Sequence, residues 1–60
     1  MLTWDKYDPT EVASAEKKFI EYTRKGWLAF SVSQENEKRQ VFRFNNDFEK
    51  ILLMPIVEGG

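Results

Sequence analysis

Apolar and polar residues along this chain follow two periods. From Val12 to Tyr22 the spacing is helical. Val12, Ala15, Phe19 and Tyr22 fall three or four residues apart, with Ala13 and Ile20 widening the stripe and Glu16, Lys17, Lys18, Glu21 and Arg24 on the other side. From Leu28 to Ser33 the period is two: Leu28, Phe30 and Val32 alternate with Ala29, Ser31 and Ser33. Arg39 to Phe44 alternates again, with Gln40, Phe42 and Phe44 on one face and Arg39, Val41 and Arg43 on the other. A last run, Ile51 to Val57, is apolar on both parities and predicts a third strand.

The boundaries have their own signals. Asp8-Pro9-Thr10-Glu11 predicts a helix start: Asp8 caps the first turn, Pro9 stands where a missing N–H costs nothing, and Glu11 is placed to reach back. Tyr7 and Val12 have the spacing of a hydrophobic staple across that cap. The helix is expected to run to about Lys25. Glu21 and Lys25 form an i,i+4 pair in the favourable order, worth about 0.2–0.5 kcal/mol. Arg24 and Lys25 suit the negative end of the dipole. Gly26 supplies the left-handed residue that ends a helix, and Trp27 behind it can fold back on Tyr22. Polar Gln34 to Lys38 predicts a hairpin loop, and Asn45-Asn46-Asp47 a turn.

These elements predict an α+β fold: one helix packed on a three-stranded, mostly antiparallel sheet, in the order α-β-β-β after a short N-terminal arm. Short connections favour a meander. The expected core brings Leu28, Phe30, Val32, Phe42, Phe44 and alternate residues of the last strand against Val12, Ala15, Phe19 and Tyr22. One helix covers one face of a sheet, yet Leu52, Met54 and Ile56 are as apolar as Ile51, Leu53 and Val57. Either the arm covers the second face through Leu2 and Trp4, or that face is an interface for a partner or a second copy in a homodimer. Pro55 cannot donate a ladder bond, which points to an edge or a break in pairing.

Sixty residues make a single domain, 1–60, with a small core and marginal stability. Without cysteine there is no disulfide and no thiolate metal site, and without histidine the commonest general base is missing. Apolar residues at 42% suit a globular chain rather than a disordered one. No apolar run approaches the roughly 18 residues of a membrane span, and no signal peptide is visible, so a cytoplasmic protein with no membrane partner is the expectation.

Candidate chemistry is sparse. The serines and threonines have no histidine to activate them, and the acidic pair Glu35 and Glu37 lies in a loop where solvated charge is the ordinary explanation. Neither an enzyme nor a bound cofactor or metal is expected. Lys38-Arg39-Gln40-Val41-Phe42-Arg43-Phe44 interleaves aromatics with basic residues, as strands that stack single-stranded nucleic acid do. A net charge of −1 argues against that partner and for Phe42 and Phe44 as core.

The end of the chain is more suggestive. Met54-Pro55-Ile56-Val57-Glu58-Gly59-Gly60 resembles the tail of ubiquitin-like modifiers and sulfur carriers, in particular the small subunit of molybdopterin synthase. The resemblance covers the last seven to ten residues. It implies that Gly60 bears an activated carboxyl, that Gly59 threads a narrow channel with it, and that an adenylating enzyme is the partner. Glycine suits such threading because it has no side chain to obstruct it. Pro55, Ile56 and Val57 would form the docking segment. The alternative is a non-catalytic protein-interaction module that binds through an apolar sheet face or the last strand, using Leu52, Met54, Pro55, Ile56 and Val57.

Overall fold

The computed structural model describes residues 1–56. One helix, α1 (Pro9–Arg24), precedes three strands, β1 (Leu28–Val32), β2 (Lys38–Val41) and β3 (Lys50–Met54). All strand pairs are antiparallel. The α+β class and the element order follow the expectation. The strand expected over Ile51 to Val57 instead ends at Met54, with Pro55 and Ile56 described but outside it, while Val57, Gly59 and Gly60 lie outside the described residues.

The helix begins and ends on local chemistry. The Asp8 carboxylate accepts hydrogen bonds from the backbone N–H of Thr10 at 2.9 Å and Glu11 at 3.4 Å. Two groups of the first turn are thereby satisfied. The reciprocal half of the expected capping box is not made, because the Asp8 N–H donates to the Asp5 carbonyl at 2.9 Å. Nor is the staple: Tyr7 is 85% exposed. The turn that brings the arm into the helix swings Tyr7 outward, its N–H bonded to the Asp5 carboxylate. At the other end the Gly26 N–H donates to the Thr23 carbonyl and the Trp27 N–H to the Tyr22 carbonyl, both at 3.1 Å. This paired pattern needs a left-handed residue, and Gly26 has φ +91°. Trp27 then rests on Tyr22 with ring centroids 4.8 Å apart.

The strand order is β2-β1-β3, so the expected meander is not formed. β1 and β2 make a hairpin closed by Ser33 to Glu37. Asn36 takes the left-handed conformation (φ 62°) that this loop requires and Asn tolerates, while the Ser33 hydroxyl accepts from Glu35 and Glu37. The segment 42–49 then crosses β1 and delivers β3 to its far side. It crosses on the helix face, where Phe44 and Phe48 pack against the core cluster. A tight turn would have kept β3 beside β2. The apolar anchors in the connection instead hold it across the sheet.

Register decides which residues face the helix. Ala29 pairs with Val41 and Leu53, and Ser31 with Arg39 and Ile51, so these share the inner face. Phe19, Ala29 and Ile51 are buried together, with Leu2, Trp4, Val41, Phe44, Phe48 and Leu53 packed around them. Leu28 and Phe30, expected to meet the helix, therefore take the opposite parity, and Val32 shares that parity yet is buried as a core residue was expected to be. Alternation gives the period of a strand but not which parity faces inward. Here the small Ala29 faces inward, opposite the bulk of Phe19. Phe42 also leaves the expected core: β2 stops at Val41, and Phe42 is 82% exposed. Phe44 does reach the core, but from the crossover rather than a strand. Its ring lies 5.9 Å from Phe19 and 4.9 Å from Trp4.

The N-terminal arm is ordered by the sheet. Leu2 and Ile51 exchange both backbone hydrogen bonds, at 2.7 and 2.9 Å. The arm thus extends the edge of β3 and places Leu2 and Trp4 on the core side, not over the second face. The Trp4 indole N–H is satisfied by the Asn46 carbonyl at 3.2 Å, which ties arm to crossover.

Candidate interaction surface

With helix and arm on one side, Leu28, Phe30, Leu52 and Met54 on the other face of the sheet have no cover among the described residues, while Val32 at the far end of that face is buried and shares a cleft with Asp47, Phe48 and Glu49 of the crossover. Pairing places Leu28 beside Met54, Phe30 between Gln40 and Leu52, and Val32 between Lys38 and Lys50. The result is an apolar patch of Leu28, Phe30, Leu52 and Met54, bordered by Gln40 and closed at one end by two lysines. Met54 is 47% exposed. Phe30 and Leu52 are half-buried by their neighbours alone. Val32 is buried already, at 3% exposure.

The sheet edges differ. Ile51 gives its N–H and C=O to Leu2, so these groups point away from β1. In an antiparallel ladder the direction alternates, so Phe30 bonds Leu52 across one side of β1 while Ala29 and Ser31 bond Val41 and Arg39 across the other. Lys38 and Gln40 then direct their backbone groups outward, and no described residue meets them. The β3 edge is capped at Ile51 by the arm, whereas the β2 edge is open.

Several sequence-predicted residues meet here. Leu52 and Met54 lie on the uncovered face as expected. Pro55 and Ile56 follow the end of β3 and are exposed. They line a shallow cleft with Lys25, Gly26 and Trp27 rather than the patch itself. Val57, Gly59 and Gly60 are outside the described residues. Sequence reasoning missed Phe30 and Leu28, which it assigned to the core. The signal that could have found them is Ala29, a small residue inside the strand where a large aromatic of the helix must approach.

The alternating aromatics do not make a stacking platform, since Phe42 is exposed beyond β2 while Phe44 is packed against Phe19 and Trp4. Among the described residues no group of three or more acidic side chains is placed to hold a metal ion, and none of the buried residues is polar or charged. No helix is long and apolar enough to cross a membrane. No protein-family model matches the chain, and neither a curated protein nor a solved structure shows significant similarity to it.

Proposed function

We propose that this chain is a non-catalytic protein-interaction module whose working surface is the uncovered sheet face. The observation that carries the reading is the side-by-side placement of Phe30, Leu52 and Met54 on the part of that face that helix, arm and crossover all leave bare. Apolar area of this kind gains free energy when a partner removes it from water, at about 25 cal/mol per Å². A flat, two-residue-period surface suits another sheet or an amphipathic helix. Lys38 and Lys50 at one end favour a partner with acidic residues there.

The test starts from a partner recovered from the native source and purified, then titrated by calorimetry with three forms of the chain. Met54→Glu places a charge at the Leu28 end of the apolar patch and should weaken binding at least tenfold. Deletion of Gly59-Gly60 should leave affinity unchanged. Equal binding by Met54→Glu and the parent chain would rule this face out.

A second reading, the carrier acting through Gly60, draws its support from the tail sequence alone. A β-grasp domain opens with a hairpin, whereas here α1 follows an arm that makes a single bridge. Incubation with an adenylating enzyme, ATP and a sulfide source would add mass at Gly60 if the chain is a carrier. An unchanged intact mass would count against that reading.

A further inference from the structure

We infer that two copies of this chain pair through the open edges of β2, in a register centred on Gln40. The pairing joins two three-stranded sheets into one of six. The inference rests on the interaction-module reading, because it enlarges the patch that the module presents alone. Three strands of about five residues present a flat patch of about 14 by 17 Å. A stable partner interface needs about 800 Å² of accessible surface per side, several times that footprint. Edge pairing doubles the patch without exposing anything new.

The chemistry of the edge selects the occupant and the register. Backbone groups of Lys38 and Gln40 point outward, so the partner strand must place like-directed groups opposite them. In a two-fold antiparallel pair this requires one residue to face its own copy. Centring on Lys38 or Arg39 sets like charges directly opposite each other, and centring on Val41 sets Arg39 against the partner's Arg43. Each of these is destabilising. Centring on Gln40 avoids all three conflicts. Gln40 then faces the partner's Gln40, with which it exchanges two backbone bonds and can exchange side-chain amide bonds on the uncovered face. Arg39 faces the partner's Val41, and Lys38 comes beside the partner's Phe42, the first residue beyond β2. That last contact gives the 82% exposed Phe42 ring a lysine stem and ammonium to pack against. The arm bridge at Ile51 protects the other edge, so pairing stops at two copies rather than growing into a fibre.

The experiment is analytical ultracentrifugation of the full chain from micromolar to millimolar concentration, with two variants. The parent chain should show a monomer–dimer equilibrium. Gln40→Pro removes the outward N–H, which the monomer does not use, and should shift the dimer dissociation constant upward at least tenfold while leaving circular dichroism unchanged. Gln40→Cys gives a chain with one thiol and should form a disulfide dimer under diamide, the oxidant that takes up the two electrons and two protons released as the S–S bond forms. Glu35→Cys, in the loop, should not cross-link at a comparable rate. A chain that stays monomeric to millimolar concentration, or cross-links equally at both positions, overturns the pairing. A parent chain that stays monomeric while Met54→Glu still weakens partner binding would remove this inference and leave the module reading standing.

Discussion

On the helix side of the sheet, Ile51, Ala29 and Leu53 meet Phe19 from α1, Leu2 and Trp4 from the arm, and Phe44 and Phe48 from the crossover. On the opposite side, Phe30, Leu52 and Met54 are as apolar and pair only with neighbours within the sheet, Phe30 with Leu52 and Gln40 and Met54 with Leu28. Three separate segments converge on one face, and among the described residues none covers Phe30, Leu52 and Met54 on the other. In a chain of 60 residues there is not enough apolar material to build two cores, so everything available goes to one. The second face keeps its hydrophobic residues all the same. A chain selected only to fold would lose little by carrying Thr or Lys at those positions, and this contrast is the physical ground for assigning the bare face a binding role.

Substitutions can break or sharpen the contrast. The largest effect is expected from Phe19→Ala, which empties the centre of the inner face. A loss of about 3–5 kcal/mol would leave a domain of this size without a cooperative thermal transition by circular dichroism. Trp4→Ala removes the arm's anchor, its contact with Phe44 and its bond to Asn46, with an expected cost of about 2 kcal/mol in urea denaturation. It should also raise hydrogen exchange at Leu2 and Ile51, whose mutual bonds depend on the arm staying in place. Gly26→Ala strains the left-handed helix end and should cost about 1 kcal/mol, read as a lower melting temperature. Space is not the cause, because a Cβ at Gly26 meets nothing within 4 Å. The smallest effect on stability is expected from Met54→Glu on the bare face, within about 0.5 kcal/mol. The same variant should have the largest effect on partner binding. If Met54→Glu instead destabilises the monomer as much as Trp4→Ala does, the second face is covered in solution and the contrast is false.

Much of this arrangement was legible along the chain. Asp8-Pro9 and Gly26-Trp27 bracket the helix to within a residue, because caps and left-handed ends depend on groups within a few positions of each other. The hairpin was legible for the same reason. The final strand's two apolar faces were legible too, and with them Leu52 and Met54 as surface candidates. What the pattern misplaced were pairings between distant residues. The β2-β1-β3 order, the inward parity of β1 and the path of residues 42–49 all depend on where Phe44 and Phe48 find burial. The place of the arm was left open between two alternatives, and the bridge to Ile51 removes the one in which Leu2 and Trp4 cover the second face.

The sequence by itself determined the helix boundaries, the α+β class and the presence of more apolar surface than one helix can cover. Those are consequences of local hydrogen bonding and of period, which a chain carries before it folds. Tertiary structure decided which face remains bare and which edge remains open. It also decided which aromatic of the Phe42–Phe44 pair is core. Burial is a competition among all segments for one small core, and its outcome depends on the register of strands that lie far apart in the chain.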